Sequence, residues 1–585
     1  MFVRTKKRGG CTYLMVVENS RVGRRVHQKV LQNLGRLDVL QTTGRLDALF
    51  HSLGRFASGL DVLGAHERGE SITTRTARIG PDLIFGRLWS ALRIDGVLKN
   101  LLSERKFEFE IERAVFLTVL HRLFDPGSDR AAEKWKCDYA IAGAQALSLH
   151  HLYRAMAWLG SPLSKTEQDG ATPFAPRCVK DLVEEALFEE RRDLFSSLDI
   201  VFFDTTSIYF EGAGGETLGR NGHSKDHRPD LKQMVVGVIL DNTGRPICSE
   251  MWPGNTTDVK TLVPIVERLR RQFSVGSVCI VADRGMISAE TIREIKKRKW
   301  QYILGVRMRN SKEVRDDVLS RGGRYEEVHP KSPIKKDPSP LKVKEVWIED
   351  NDGEADDESD ADDVRGAGEN SADENSAGGK SGARRYVVCL NEDQATKDRC
   401  DREAIVAALE EALKHGDKSL IGNKGYRRYV RASGERFTID AEKIKEEAQY
   451  DGKWVLTTNT DLPARQLALK YKQLWMVEAM FRSMKSLLAT RPIYHKCDET
   501  IRGHVFCSFL ALVLRKELQD RIEAKGWQLE WADIIHDLDT LLEIEIRVED
   551  KGYIIRSETK GATGKTAQAV GVALPPVLRP CKTGA

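Results

Sequence analysis

The spacing of apolar residues divides the chain into segments with different predicted secondary structure. Residues 11–17 combine β-branched and aromatic side chains and predict a strand, with which the basic stretch 21–29 can pair. From about residue 81 to residue 190 apolar positions recur at helical spacing and predict a block of amphipathic helices, with Ser128 as an N-cap. This block is compatible with a helix-turn-helix and equally with a helical bundle that reads no DNA groove.

A different pattern begins at residue 198, where short apolar runs replace the helical period. The predicted elements, in chain order, are strands at 198–204, 207–210 and 233–241, an extension at 246–252, a helix at 257–273, a strand at 278–283, a helix at 288–299 and a strand at 301–306. Three strands followed by helix, strand, helix and strand predict an α/β domain.

Beyond residue 308 this order is interrupted. Further elements are predicted as strands at 341–348, 385–390 and 454–458, and as helices at 396–415, 463–489 and 505–518. The end after Ser557 is rich in Gly, Lys and Thr, and we expect it to be poorly ordered.

The charge distribution adds a separate observation. The 585 residues carry a net charge of only +5, but 349–374 hold thirteen acidic residues and one arginine, so the remainder carries +17. The acidic segment 349–382 cannot bury a core and is predicted to be a disordered loop. A basic body favours a nucleic-acid partner, because clustered cations displace counterions from phosphates. The alternative is an ordinary solvated surface.

Composition excludes several classes of protein. The chain is 41% hydrophobic, which is enough for a sizeable core, yet no apolar run approaches the roughly 20 residues that span a bilayer. Its ten cysteines form no C-x-x-C pair, so neither a zinc site nor a disulfide framework is indicated. We therefore expect a cytoplasmic protein, associated with the nucleoid when bound to DNA.

Three acidic residues occupy positions suited to chemistry. Asp204 and Asp283 each end a predicted strand, and Glu478 lies on the predicted helix 463–489. On that helix Tyr471, Glu478 and Lys485 recur every seven residues, which places them on one stripe. Carboxylates from two strands and a helix suit Mg²⁺, which prefers oxygen ligands. Each acid taken alone is also compatible with a structural surface carboxylate.

The residues around these acids resemble a known family. The matching stretches are Phe203-Asp204-Thr205-Thr206, Ala282-Asp283-Arg284-Gly285 and Tyr471-x2-Leu474-x3-Glu478-x6-Lys485. Together they resemble the DDE transposases of bacterial insertion sequences, in the group with a Y-x2-R-x3-E-x6-K signature. Leu474 stands where this signature has Arg, so that arginine's contribution must be absent or supplied by a neighbour such as Lys472, Arg482 or Arg465.

The resemblance implies an RNase H-like fold, with a mixed sheet flanked by helices, a large insertion domain and a helical N-terminal region. It implies Asp204, Asp283 and Glu478 as catalytic metal ligands for Mg²⁺ or Mn²⁺, with two ions in the site. It also implies DNA contacts by Tyr471 and Lys485. Arg482 and Arg284 are further candidates, although Arg284 could instead pair with a nearby carboxylate.

The implied activity is metal-dependent DNA cleavage and strand transfer at the inverted-repeat ends of an insertion sequence. The partners are those ends and target DNA, with a homodimer in the synaptic complex. Two alternatives are a stand-alone nuclease of the same fold and a non-catalytic DNA-binding derivative.

The expected domain organisation is a basic DNA-binding region at 1–75, a helical end-binding domain at 76–195, core segments at 196–307 and 451–535, an insertion domain at 308–450 and a C-terminal region at 536–585.

Overall fold

The computed structural model describes residues 2–22, 25–46, 72–103, 105–169, 171, 175–191, 200–273, 279–286, 288–329, 341–349, 383–414, 428–433, 436–548 and 551–581. The chain divides into two compact units. The first contains Met1–Ile84, Cys137–Ala142 and Ala524–Ala585, and the second contains Phe85–Lys136 and Gly143–Glu523. The predicted acidic loop lies outside the described residues, apart from Glu349.

Strands occur throughout both units. They are β1 (Phe2–Arg8), β2 (Cys11–Val22), β3 (Arg25–Arg36), β4 (Ile72–Arg78), β5 (Ile200–Tyr209), β6 (Gln233–Leu240), β7 (Pro246–Pro253), β8 (Cys279–Ala282), β9 (Gln301–Gly305), β10 (Glu326–Val328), β11 (Leu341–Glu349), β12 (Ala383–Asn391), β13 (Val430–Ser433), β14 (Arg436–Ile439), β15 (Lys453–Thr458), β16 (Leu542–Val548), β17 (Lys551–Arg556) and β18 (Leu578–Pro580).

The α-helices are Leu37–Thr42, Arg87–Ala91, Ile94–Leu102, Ile111–Phe124, Asp129–Trp135, Leu149–Leu159, Val179–Arg191, Leu262–Gln272, Ala289–Lys297, Glu392–Lys414, Ala441–Ala448, Ala464–Lys472, Trp475–Arg482, Asp498–Ala524, Trp531–Asp539 and Thr563–Val570. Within the described residues no helix is long and apolar enough to cross a membrane.

The second unit is built on a sheet whose described strands run in the order β10-β11-β12-β15-β9-β8-β5-β6-β7. Within it β5, β8 and β9 are parallel neighbours, and β6 and β7 continue antiparallel from β5. A meander of three strands followed by two parallel strands, with helices between them, is the predicted RNase H-like order. The α/β fold class is therefore confirmed.

The strands expected in the insertion domain extend this same sheet. β12 pairs antiparallel with β11 on one side and with β15 on the other, and β15 pairs with β9. Their apolar positions explain this placement, because Val346, Val388 and Val455 pack into one buried cluster. The segments flanking the acidic loop thus belong to the central sheet.

The core beside the parallel strands forms where a helix covers the sheet. Phe203 of β5 and Ile280 of β8 share a buried cluster with Ile265 and Leu269 of the helix Leu262–Gln272. These apolar positions are one helical turn apart, so they face the sheet together. This packing fixes the two strands that carry the predicted aspartates.

The prediction of one continuous helix at 463–489 is wrong. It consists of Ala464–Lys472, Trp475–Arg482 and a π-helical turn at Ser483–Leu487. At the first break the amides of Leu474 and Met476 donate to carbonyls three residues back rather than four. That tightening changes the phase of the helix, so the predicted seven-residue stripe does not run straight.

Among its described residues, the first unit holds two smaller sheets. β2 pairs with β1 and with β3. The predicted strand 11–17 lies within β2, but its predicted pairing with 21–29 is wrong, because Tyr13 to Val17 lie opposite Arg36 to Val30. The other sheet has the order β18-β17-β16-β4. The end after Ser557, expected to be poorly ordered, contains the helix Thr563–Val570 and β18. Asp537 explains this difference, because its carboxylate accepts the Ala562 amide at 2.7 Å and its carbonyl accepts the Thr563 hydroxyl at 3.1 Å.

Candidate active site

The two predicted aspartates lie side by side on neighbouring parallel strands. β5 and β8 pair from Ile200 opposite Cys279 to Phe203 opposite Ala282, and Asp204 and Asp283 are the residues that follow. Asp204 does not end its strand as predicted, because β5 continues to Tyr209 by pairing with β6. The prediction was wrong because the charged Asp204 interrupts the apolar run, whereas the backbone of β5 remains paired with β6 on both sides of this residue. Both carboxylates nevertheless mark the end of the parallel pairing.

Glu478 joins these aspartates in a single cleft of about 400 Å³. The lining residues are Asp204, Asp283, Arg284, Gly305, Val306, Met308, Trp454, Val455, Tyr471, Lys472, Leu474, Trp475 and Glu478. The three acids therefore come from β5, from the residue after β8 and from the helix Trp475–Arg482. This is the convergence of two strands and a helix that the sequence predicted.

The surroundings of Asp204 differ from those of an ordinary surface carboxylate. Burial raises its pKa to about 6, against the lowering effects of the Lys225 charge and of the Thr205 amide. That amide donates to Asp204 Oδ1 at 2.7 Å. Because burial disfavours the ionised form of this carboxylate, a cation bound beside it would stabilise that form.

A second layer of polar contacts surrounds this strand. Thr205 Oγ1 donates to Asp258 Oδ1 at 2.6 Å, and Lys225 Nζ donates to Thr205 O at 2.8 Å. The same ammonium lies 3.0 Å from Asp258 Oδ2. The sequence pattern indicated no role at the site for Lys225 or Asp258, because both lie outside the strands and the signature helix.

Tyr471, Leu474 and Glu478 of the signature line the cleft, whereas Lys485 does not. Tyr471 donates its hydroxyl to Asp283 Oδ1 at 2.8 Å. Leu474, at the signature's Arg position, is buried in the lining, and Lys472 and Arg284 are the cationic residues of that lining. Positive charge is thus present beside the acids even though residue 474 is apolar.

Two of the predicted DNA-contact residues do not line the cleft. Arg482 is exposed. Lys485 Nζ instead lies 2.8 Å from Asp226 Oδ1, which is also 2.6 Å from a guanidinium nitrogen of Arg491. Burial lowers the pKa of Lys485, and Asp226 opposes that shift. The sequence did not indicate the ion pairs of Asp226 with Lys485 and Arg491.

A separate cluster of possible metal ligands occurs among the described residues. One ligand atom from each of Asp129, His495 and His504 lies within 4.8 Å of the others. His495 Nε2 lies 3.2 Å from Asp129 Oδ2 and 3.1 Å from His504 Nδ1. An Arg122 guanidinium nitrogen lies 2.8 Å from the same His504 Nδ1. A buried guanidinium at that lone pair opposes cation binding, so we interpret this cluster as a hydrogen-bonded structural network.

The donor set of the cleft fits a divalent metal better. Asp204, Asp283 and Glu478 offer only carboxylate oxygens, the ligands that hard cations such as Mg²⁺ prefer. The positive residues of the lining suit a phosphate. A cleft with this composition can hold hard cations and an anionic substrate together.

Comparison with known proteins identifies the family. Residues 196–514 match the family described as "Transposase DDE domain", and residues 2–63 match "IS1634 family transposase, N-terminal domain". The first match spans more than half of the chain, so the protein belongs to the DDE transposase family. This confirms the resemblance and gives transposition as the function, with DNA as the substrate class. DDE transposase domains use divalent metal ions.

The comparison with solved structures includes a cryo-EM structure of a piggyBac transposase synaptic complex with hairpin DNA. It is 11% identical, covers 78% of this chain and 79% of that chain, and has a TM-score of 0.34. No curated protein matches the chain.

Proposed function

We propose that this transposase cuts a DNA strand at each inverted-repeat end of its own mobile element and joins the freed 3′-OH to target DNA. The observation that carries the proposal is the convergence of Asp204, Asp283 and Glu478 on one cleft. Family membership supplies the reaction class, and the carboxylates supply the chemistry that cleavage and transfer require.

Asp204, Asp283 and Glu478 are the proposed ligands of two Mg²⁺ or Mn²⁺ ions. Such ions, when bound, activate an attacking oxygen and stabilise the leaving oxygen of an in-line phosphoryl transfer. The Thr205 amide donates to Asp204 Oδ1, and the Tyr471 hydroxyl donates to Asp283 Oδ1. Both steps are direct displacements at phosphorus and need no covalent enzyme intermediate.

DNA enters this proposal through the cationic residues around the cleft. Arg284 and Lys472 line it and would hold phosphates near the acids. Arg482, which is exposed, and Lys485 of the signature remain proposed DNA contacts, whereas the Tyr471 hydroxyl is already donated to Asp283. For Lys485 a contact would require a phosphate to compete with Asp226.

The N-terminal segments are the proposed binders of the transposon ends. Residues 1–56 carry eleven basic and three acidic residues, and β1 is exposed along its whole length. We assign end binding to the regions 1–75 and 76–195, and synapsis of two ends to a homodimer. The insertion domain 308–450 and the core segments 196–307 and 451–535 complete the proposed organisation.

The test is Asp204→Asn with a duplex made from the genomic DNA on either side of the gene, where the proposal expects an inverted repeat. Asparagine keeps the acceptor for the Thr205 amide but loses the charge, so end binding should persist while Mg²⁺-dependent nicking falls to background. Asp230→Asn is the matched control, because Asp230 is an exposed acid paired with Arg228. Nicking at the wild-type rate by the Asp204 variant would refute the assignment.

Strand transfer needs its own assay. A pre-cut end with a free 3′-OH is incubated with a target plasmid, and joined product is expected with the wild-type protein. Cutting without joining would instead indicate a stand-alone nuclease.

A further inference from the structure

Tyr471 has a specific partner in the cleft. Its hydroxyl donates to Asp283 Oδ1 across 2.8 Å, although the two residues are 188 positions apart in the chain. A phenol has a single proton to donate, and that of Tyr471 is directed at one oxygen of Asp283.

Gly305 provides the space for this hydrogen bond. It ends β9, whose preceding residue Leu304 pairs with Ala282 immediately before Asp283. A Cβ placed on Gly305 would lie 2.2 Å from Tyr471 Oη and 2.9 Å from its Cζ. The backbone of Gly305 has no positive φ, so the glycine is needed here for space and not for conformation. Any side chain at 305 would displace the tyrosine hydroxyl.

We propose that Tyr471 is a positioning residue for Asp283, with Gly305 as the residue that admits it. The hydroxyl holds Oδ1, which fixes the rotation of the carboxylate and leaves its other oxygen for a divalent cation. This inference rests on the proposed metal-dependent function and deepens it. It gives Tyr471 a role within the protein, distinct from the DNA contact that the family signature implies.

The test compares Tyr471→Phe, Gly305→Ala and the double variant. Phenylalanine fills the same space without the hydroxyl, whereas alanine keeps the hydroxyl but excludes it from Asp283. The closest atoms to the new methyl group belong to the end of a side chain, so the Gly305 variant should fold. Tyr494→Phe is the matched control, because Tyr494 is 65% exposed and does not line the cleft.

Two quantities are measured on DNA-free and metal-free protein: Mn²⁺ affinity by calorimetry, and affinity for an end duplex in EDTA. Removing a residue that hydrogen-bonds to a metal ligand weakens metal affinity by about 10- to 100-fold. We expect that loss in both single variants, no further loss in the double variant, and unchanged DNA affinity in EDTA. Cleavage should recover at high Mn²⁺ concentration.

Three results would overturn the inference. They are wild-type Mn²⁺ affinity in Tyr471→Phe, a loss confined to DNA affinity, or additive losses in the double variant. The Tyr471 variant decides the matter alone if the Gly305 variant is unfolded by circular dichroism. Asp283→Asn separates the two proposals: if it binds Mn²⁺ like the wild type, the proposed metal site is wrong, whatever Tyr471 does.

Discussion

Asp226 Oδ1 lies 2.8 Å from Lys485 Nζ, and the same oxygen lies 2.6 Å from a guanidinium nitrogen of Arg491. The Asp226 side chain is only 6% exposed and that of Lys485 11%. One carboxylate thus holds two cations in a nearly dry environment. This joins the loop after β5 to the π-helical turn of the signature segment. The signature lysine is therefore part of the protein's internal packing.

Asp226→Asn should destabilise the protein, because it leaves two cations close together without their shared anion. Removing one partner of a buried ion pair costs about 3–5 kcal/mol, and the 25% exposure of Arg491 favours the lower figure. Urea unfolding measures the change. The double variant Asp226→Asn, Lys485→Met should lose less than the sum of the single variants. Strict additivity would show that the pair contributes nothing specific.

Arg268 should be hard to replace, even by lysine. Its guanidinium lies 2.7 Å from Glu184, 2.9 Å from Asp181 and 2.6 Å from Glu250, and its side chain is 5% exposed. Lysine cannot reproduce a planar fork that serves three acids. We expect Arg268→Lys to lower the free energy of unfolding by about 3 kcal/mol.

Arg271 on the same helix provides the control for Arg268. Its pair with Asp169 is 3.3 Å long and more than half exposed on both sides. Arg271→Met should change the free energy of unfolding by less than about 0.5 kcal/mol. Equal effects of the two substitutions would contradict the importance of the buried network.

Asp204 should make the stability of the metal-free protein depend on pH. Burial raises its pKa from an ordinary 3.8 to about 6, so its ionisation opposes folding. The contribution of Asp204 to the free energy of unfolding is fully present below pH 3.8, where the carboxyl is protonated, and is lost as the pH rises through 6. The stability of Asp204→Asn relative to the wild type should therefore be about 2 kcal/mol greater at pH 8 than at pH 4.5.

Urea unfolding in EDTA at the two pH values measures this difference for Asp204. The exposed Asp230→Asn variant serves as the control, since its side chain is 58% exposed. A stability difference between Asp204→Asn and the wild type that is independent of pH would show that burial does not perturb this carboxylate.

The strands that precede the two aspartates could be predicted from local sequence patterns, whereas the choice of Asp204, Asp283 and Glu478 depended on the family resemblance. The membership of β11 and β12 in the same sheet could not be predicted, because apolar spacing does not specify which strands pair. Short apolar runs gave β8 and β9 nearly to the residue, and Asp283 follows β8 as expected. The same pattern predicted that β5 ends at Asp204, which is too early, because the apolar pattern cannot show that a strand continues past a charged residue. Only its antiparallel pairing with β6 carries the strand past that acid.

Contacts that depend on the three-dimensional fold could not be predicted in this way. Asp226 meets Lys485 across 259 residues of sequence, and neither residue carries a pattern that points to the other. Lys225 and Asp258 lie outside regular strands, where polarity indicates exposure and not a partner. The break near Leu474 also has no signal, because the apolar spacing is continuous through it while the hydrogen bonds tighten.

The acidic segment should be dispensable for folding and for catalysis. β11 ends at Glu349 and β12 begins at Ala383, and these two residues are opposite each other in the antiparallel register. An Asn-Gly turn can therefore replace residues 350–382 and close the hairpin directly. If the segment forms no packed structure, as its composition predicts, the shorter connection should raise the free energy of unfolding by about 2 kcal/mol. Mg²⁺-dependent nicking should be unchanged.

A Gly/Ser segment of the native length should give neither the stability gain nor a loss of nicking, which separates the effect of length from that of charge. A short-turn variant that unfolds cooperatively but no longer nicks DNA would show that the acidic residues take part in the reaction.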